Sequence, residues 1–286
     1  MFILELLLPG MLFTGFCIVF PIAKSFVMSV TNWDLLRSAE GHGFVGLQNF
    51  KDFFTLSHAA KTIKVSLAFA VVTVAGTILS GLLTALLLNT RFTGRTFVRG
   101  VVMLPWAIPG FVACRVFLLA LNPDYGMLSH LLGNVFHVDS ATFLSQELPA
   151  FILVTSIHVW KFFPFVTVML LAALSTVPKT LYEAAALDGA GNVRQFFSVT
   201  LPIISPTLTT LVIMEAMRSL RTFDLVYLIT MGGPNYATNV IGNDIYHNAF
   251  RLFKMGLASA QGVVLFLVCM LLVIPYFKRE GRELMS

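Results

Sequence analysis

Charged residues are scarce in this chain of 286 residues, since Asp, Glu, Lys and Arg together make up 12% of it. Hydrophobic residues make up 57%, and the mean hydropathy is +0.85. A soluble domain carries about 25% charged residues, so this composition excludes an ordinary soluble protein. Apolar stretches of about 20 residues recur along the chain, which is the length of a membrane-spanning helix. We therefore expect an all-α polytopic membrane protein rather than a β-barrel.

Groups that carry enzyme chemistry are also missing. The cysteines, Cys17, Cys114 and Cys269, lie far apart in apolar runs, which predicts buried thiols rather than a disulfide or metal set. The histidines show no metal-ligand spacing, and no catalytic grouping such as His-Glu-x-x-His occurs. Lysine never follows glycine, so the chain lacks a P-loop and should bind no ATP of its own. We expect a protein that is not an enzyme and that holds no cofactor or metal.

Six apolar runs predict six spans. The first lacks the basic flank of a signal peptide, so we expect a retained helix whose short cytoplasmic tail was removed or never present. Proline occurs inside the third run, and the fifth ends at a Gly-Gly-Pro stop signal. The predicted spans are Leu6–Val30, Thr62–Leu88, Val101–Leu121, Ala150–Leu174, Thr207–Thr230 and Leu257–Phe277.

The distribution of basic residues predicts the orientation. One side would hold eight of them, at 91, 95, 99, 179, 194, 278, 279 and 282, mostly in short segments. The other side would hold six, at 37, 51, 61, 64, 251 and 254. The positive-inside rule therefore predicts that both termini are cytoplasmic. It also explains the formal net charge of +5 without an affinity for nucleic acid.

A polar segment at 175–206 interrupts the apolar pattern between the fourth and fifth spans. Residues Tyr182–Leu187 favour a helix, and Pro178 marks its start. Gly189 should end that helix. A second short helix should follow at Val193–Val199, until Pro202 resets the chain. The pattern predicts a helix–turn–helix knob outside the membrane.

The same segment carries a motif at fixed spacing, made of Glu183, Ala184, Ala185, Gly189, Leu201 and Pro202. This motif resembles the EAA loop of ABC-importer permeases, with Val199 where isoleucine is more usual. The run Asp188, Gly189 and Ala190 is similar to that of the carbohydrate branch, the maltose-permease type. We call residues 175–206 the EAA loop.

The resemblance implies a single permease domain over 1–286, whose EAA loop couples it to a separate ATPase. It further implies a second, different permease subunit, two ATPase subunits that bind ATP and Mg²⁺, and an extracytoplasmic solute-binding protein. The location would be a bacterial or archaeal cytoplasmic (inner) membrane. Contacts with that solute-binding protein are expected near Asn122–Pro149 and Gly232–Met255. The ATPase-coupling residues would be Glu183, Ala184, Ala185, Asp188 and Gly189.

Ionisable residues inside the predicted spans point to a substrate pathway, because each charge at mid-bilayer costs at least about 2.5–3.5 kcal/mol. His158, Lys161, Phe162 and Phe165 share one face of the fourth span, and Pro164 can kink that helix. On the fifth span, Glu215, Arg218 and Ser219 repeat the spacing, followed by Thr222. The resemblance implies sugar contacts from these two helices. Its motifs there are Trp160 with Pro164, and Phe223-Asp224 followed by Thr230 and Gly232-Gly233-Pro234.

Aromatic planes, hydrogen-bond donors and excess positive charge together favour an acidic carbohydrate, such as a uronate oligosaccharide. Lys161, Arg218 and His158 would contact it. Glycerol phosphate is an alternative. A neutral oligosaccharide is another, if Glu215 pairs with Arg218 and Arg221 with Asp224. A secondary transporter would also explain buried charges, although it should show inverted repeats.

Overall fold

Helices build almost all of the computed structural model, which describes residues 2–36, 42–136 and 144–283. Across those ranges the β-structure consists of isolated bridges, Thr31 with Phe44 and Asp34 with Lys254, and no strand is present. In chain order the helices are α1 (Phe2–Thr14), α2 (Phe20–Ser29), α3 (Gln48–Thr55), α4 (Ala59–Asn89), α5 (Arg95–Ala107), α6 (Gly110–Ala120), α7 (Met127–Phe136), α8 (Glu147–Ser175), α9 (Lys179–Leu187), α10 (Asn192–Gln195), α11 (Leu201–Leu220), α12 (Asp224–Ile229), α13 (Ile241–Phe250) and α14 (Met255–Glu283). Two π-helical segments, Gly15–Val19 and Phe196–Thr200, join helices without a turn.

The helices long and apolar enough to cross a membrane number five in the described ranges, or six if α5 and α6 form one broken span. The all-α polytopic fold predicted from composition is thus confirmed. The single helices are Leu7–Ser29, Ala59–Asn89, Glu147–Ser175, Asn192–Leu220 and Met255–Ile274. The basic residues after the last span, Lys278, Arg279 and Arg282, have side chains outside the described residues, as does Arg37.

The third predicted span is broken rather than continuous. α5 and α6 meet at an angle of 96° across Ile108 and Pro109. Ile108 has an extended backbone, with φ −72° and ψ 130°. A residue that precedes proline is pushed out of the helical region by the proline ring, which explains the break. By contrast, α8 continues through Pro164, so a proline in the sequence did not by itself locate the break.

The fifth span begins and ends earlier than predicted. It runs over Asn192–Leu220 instead of Thr207–Thr230, and α12 follows as a separate short helix. The second helix of the EAA loop is therefore the start of this span, not a short helix that stops at Pro202. Pro202 is not at a free helix end, because the π segment Phe196–Thr200 joins α11 directly to α10. The turn of this π segment is wider than an α-helical turn, and the helix continues past Pro202 without a break.

The chain divides into two compact units. The central unit is Val65–Thr238. Its core joins α4, α8 and α11, with buried side chains such as Ala85, Leu170 and Leu211. A Cβ added at Gly81 would lie 2.6 Å from Val166 Cγ1, so glycine lets α4 and α8 approach closely. The single-domain organisation inferred from the sequence stays a prediction.

The terminal unit combines the chain up to Lys64 with the chain from Asn239 onward. Here α2, α3 and α13 pack against α14. Buried polar side chains hold it together: Asn239 Nδ2 donates to Thr62 Oγ1 at 2.9 Å and to Asp244 Oδ1 at 2.8 Å. His58 Nε2 lies 3.2 Å from Asp244 Oδ2. This network was not predicted from the sequence.

The three cysteines are free thiols. Cys114 is buried, as predicted, and Cys269 is half-buried. Cys17 is exposed, so the prediction of a buried thiol was wrong there. Its helix turns an apolar surface outward, as a membrane-facing helix does.

Candidate functional site

A cavity of about 260 Å³ lies in the central unit, where the α5–α6 break meets α8, α11 and α12. Charged, aromatic and small residues share its wall, so charged side chains reach a cavity inside an apolar protein. Its lining residues are Gly110, Cys114, His158, Lys161, Phe162, Arg218, Arg221, Thr222, Asp224 and Leu225.

The α8 wall carries His158, Lys161 and Phe162. His158 is fully buried, and its ring centroid lies 4.7 Å from that of Phe162. Lys161 Nζ donates a hydrogen bond to the carbonyl of Ile108, a backbone group left open by the α5–α6 break. The break thus brings a backbone acceptor to a lysine that lacks an acidic partner one turn away on its own helix.

The α11 wall carries Arg218. Its guanidinium carbon lies 4.5 Å from the ring centroid of Phe162 and 5.2 Å from that of Phe165, so both rings make cation–π contacts. Arg218 Nη1 also donates to Glu215 Oε1 at 2.7 Å, and the Glu215 side chain is fully buried. Glu215 therefore neutralises Arg218, which is the pairing that the sequence analysis considered for a neutral substrate.

Arg221 and Asp224 are arranged differently from the pairing considered above. Arg221 Nε donates to the Met217 carbonyl at 3.1 Å, and no ion pair joins it to Asp224 among the described residues. A Cβ placed on Gly110 would lie 3.2 Å from Asp224 Oδ2 and 3.7 Å from Lys161 Cε. Asp224 and Lys161 therefore converge on Gly110, the first residue of α6.

Of the seven predicted pathway residues, four line the cavity: His158, Lys161, Phe162 and Arg218. Phe165 lies behind Arg218 and contacts Trp106 at 6.0 Å between ring centroids. Glu215 is the buried partner of Arg218. Ser219 Oγ lies 2.8 Å from Thr73 Oγ1 and so joins α11 to α4 instead of facing the cavity.

Sequence reasoning missed the contribution of α6 and α12, namely Gly110, Cys114 and Leu225, and the role of Asp224 in the wall. Helical periodicity relates residues of one helix only, so it could not bring α6 next to α8. The pair Pro105 and Pro109 was the available signal, because two prolines in one span indicate a possible break. Among the described residues, no group of three His, Cys, Asp or Glu side chains is placed to hold a metal ion.

The first helix and the glycine turn of the EAA loop form as predicted, whereas the second helix continues into the fifth span. α9 ends at Leu187, Gly189 has φ +76°, and the Ala190 N–H returns to the Ala185 carbonyl at 2.9 Å. This geometry, a glycine in the left-handed region just after a helix, is a standard helix C-terminus. Tyr182 Oη lies 2.8 Å from Thr200 Oγ1 and ties the two helices together.

The outer surface of this loop is unusually apolar for a polar segment. Leu187 is 91% exposed, Val193 73% and Phe197 61%. The predicted coupling carboxylates, Glu183 and Asp188, are exposed beside them. Exposed apolar side chains with charges at the margin are typical of a surface that binds another protein.

The geometry defines the class of the protein: an all-helical membrane protein with a broken span and a cavity lined by charged and aromatic side chains. Solved structures share this fold. The chain superposes on a chain of a bacterial ABC transporter involved in the import of the acidic polysaccharide alginate, with TM-score 0.84, 22% identity, and 98% of this chain and 95% of that chain covered. It also matches the alginate ABC transporter in complex with an alginate pentasaccharide-bound periplasmic protein, with TM-score 0.82 and 22% identity over 99% and 94% of the two chains.

The family described as binding-protein-dependent transport system inner membrane component matches residues 49–277. The chain belongs to this family of ABC-importer permeases. It is 35% identical to the trehalose/maltose transport system permease protein of Thermococcus litoralis, over 82% of this chain and 79% of the relative. It is 31% identical to the sulfoquinovosyl glycerol transport system permease protein of Agrobacterium fabrum, over 96% and 88%. It is 33% identical to the sn-glycerol-3-phosphate transport system permease protein of Salmonella choleraesuis, over 87% and 86%.

The maltose-permease-like resemblance predicted from the EAA motif is thereby confirmed. The protein is a multi-pass membrane permease, not an enzyme, and it acts in binding-protein-dependent ABC transport. This membership removes the secondary transporter from the alternatives.

Proposed function

We propose that this chain is a permease subunit of an ABC importer that takes up an acidic carbohydrate of the uronate type. The observation that carries the proposal is the wall of the central cavity. Among the described residues, no carboxylate is in salt-bridge contact with Lys161 or Arg221, which supply positive charge there, and Phe162 offers an aromatic face. Sugars stack on aromatic faces, and an acidic group needs cations in a site of low dielectric constant.

The energy for transport would come from separate subunits. Two ATPase subunits would bind ATP and Mg²⁺ and dock on the EAA loop through Glu183, Ala184, Ala185, Asp188 and Gly189. The exposed apolar side chains beside these residues support this role. A second, different permease would complete the cavity, and the transporter would alternate between outward and inward access as the ATPases close.

Delivery would come from an extracytoplasmic solute-binding protein. It would contact the loops near Asn122–Pro149 and Gly232–Met255, of which residues 137–143 lie outside the described ranges. Both termini and the EAA loop would then be cytoplasmic, in the cytoplasmic membrane of a bacterium or archaeon.

A neutral oligosaccharide is the second candidate, and the Glu215–Arg218 ion pair favours it. That pair removes one of the cations on which an acidic substrate would depend. The names of the relatives leave this choice open, because they include trehalose/maltose and sn-glycerol-3-phosphate systems. Glycerol phosphate remains a third candidate, since its phosphate would use the same cations.

The test is ATP hydrolysis by the purified complex with its binding protein and either mannuronate or maltose oligosaccharides of equal length. For the Lys161→Ala variant we expect stimulation by the acidic sugar to fall about tenfold or more, because one charge-assisted contact is lost. The Lys51→Ala variant, which removes an exposed lysine outside the cavity, should behave as the wild type. Unchanged stimulation by mannuronate in the Lys161 variant would remove Lys161 from the site. Stimulation of the wild type by the maltose series alone would favour the neutral substrate.

A further inference from the structure

The amino-terminal end of α6 opens into the central cavity. Pro109 caps this helix without a side-chain hydrogen bond, and its first turn carries no acidic residue. The first intrahelical bond runs from the Ala113 N–H to the Pro109 carbonyl, so the N–H groups of the preceding residues have no helical acceptor. Such an end carries a partial positive charge and binds anions. Gly110 lines the cavity, and the absence of a side chain there leaves its backbone accessible.

His158, on the opposite wall, points to a ligand independently. It is fully buried and lines the same cavity. Within the part of the chain that the structure describes, neither its Nδ1 nor its Nε2 has a hydrogen-bond partner. Leaving a buried polar group unpaired costs about 1–3 kcal/mol, so an orphaned imidazole in a cavity wall indicates a site that a solute completes.

Asp224 already places a carboxylate at this position. Its Oδ2 lies 3.2 Å from where a Cβ on Gly110 would be, and Lys161 Cε lies 3.7 Å from the same point. A carboxylate, a lysine and a helix N-terminus thus meet at one residue. The carboxylate of Asp224 thus occupies the position that the acidic group of a solute would take beside a lysine and a helix N-terminus.

We propose that the amino-terminal end of α6, Lys161 and His158 form an anion subsite of the transport cavity, and that Asp224 is its internal counter-anion. A carboxylate, sulfonate or phosphate ester on the solute enters the subsite by taking over from Asp224. Asp224 then determines specificity: it sets how strongly a solute must be charged to compete. The proposal rests on the proposed function, since it concerns the same cavity, and it names the group on the solute that the cavity selects.

Electrostatics give the direction of the effect. Two like charges a few ångströms apart in a site of low dielectric constant repel strongly, so Asp224 weakens the binding of an acidic solute. It also screens Lys161 when that solute is absent, which reduces the cost of a lysine inside the membrane. A neutral solute gains little from removal of Asp224, because it brings no charge to the subsite.

The experiment measures direct binding of trimannuronate and of maltotriose to the purified complex by equilibrium dialysis. We expect Asp224→Asn, which has nearly the same shape, to bind trimannuronate about fivefold to tenfold more tightly, and maltotriose within about twofold of the wild type. Asp224→Ser should also bind trimannuronate more tightly than the wild type. Asp52→Asn makes the same charge change on the exposed face of α3, outside the cavity and outside the loops expected to contact the binding protein, and should leave both affinities unchanged.

Equal or weaker trimannuronate binding by both Asp224 variants would overturn the proposal and make Asp224 a direct contact instead. Binding-protein-dependent ATP hydrolysis by the same samples separates this result from a failure of the proposed function. Intact hydrolysis with unshifted affinities counts against the counter-anion alone. If no sugar stimulates ATP hydrolysis by the wild-type complex, the result counts against the proposed importer function, on which the role of Asp224 depends.

Discussion

At the scale of single residues, the Glu215–Arg218 pair shows how the protein carries charge within a span. Glu215 is fully buried, while the Arg218 side chain is 27% exposed toward the cavity. Burying a carboxylate is costly unless it is paired and hydrogen-bonded. Arg218 meets that need with one hydrogen bond and lies on two aromatic rings. Its guanidinium therefore stabilises the helix pair as well as lining the cavity.

Removal of Arg218 alone should destabilise the protein. In Arg218→Gln, Glu215 would remain buried without its counter-charge, which should lower the free energy of unfolding by about 3 kcal/mol. We expect a lower midpoint of thermal unfolding for the detergent-purified complex, followed by tryptophan fluorescence.

The double variant Glu215→Gln/Arg218→Gln is the matched control. It removes both charges together, so much of the lost stability should return. A double variant no more stable than Arg218→Gln would mean that the cation–π contacts, and not the ion pair, carry the stability.

At the scale of elements, the EAA loop depends on one backbone conformation. Gly189 and Gly191 both border the turn, and a Cβ on either would meet no atom within 4 Å. They differ in backbone angle: Gly189 has φ +76°, and Gly191 has φ −72°. The left-handed region costs a residue with a side chain about 1–2 kcal/mol, so only Gly189 is required by geometry.

We predict that Gly189→Ala weakens the link to the ATPases whereas Gly191→Ala does not. Strain in the turn should misplace α9 against the start of the fifth span, and so displace Glu183. The measurement is retention of ATPase subunits on the affinity-purified permease, together with binding-protein-stimulated ATP hydrolysis. Equal behaviour of the two alanine variants would contradict this account of the turn.

The α5–α6 break is the other element that matters. Pro109 creates it locally, and its consequences are tertiary. A backbone carbonyl becomes available to Lys161, and the first turn of α6 becomes available to the cavity. The prolines were visible in the sequence, but the 96° bend and the neighbours it acquires were not.

At the scale of the whole molecule, orientation is the central prediction. The basic residues at 91, 95 and 99 and the EAA loop should share the cytoplasmic side. The connection between α6 and α7, which includes Asp124, should face the exterior.

Cysteine labelling tests this orientation. In a variant with Cys17, Cys114 and Cys269 replaced by serine, a membrane-impermeant maleimide should label Asp124→Cys on intact spheroplasts. It should label Asp188→Cys only after permeabilisation, because that residue is exposed in the EAA loop. Labelling of Asp188→Cys on intact spheroplasts would invert the topology and refute the coupling role of the loop.

The amino-acid sequence by itself determined the membrane class and the family, and its six predicted spans agree with the structure if α5 and α6 count as one broken span. Apolar length and the EAA spacing are local properties of the chain, so they can be read without a structure. It also placed His158, Lys161, Phe162 and Arg218 on the cavity, because helical periodicity fixes which residues share a face. Only the tertiary structure decided which charges pair, where the third span breaks and that Asp224 meets Lys161 at Gly110. The contacts of Asp224 and Lys161 with Gly110 join helices far apart in the chain, and their geometry follows from how the helices pack.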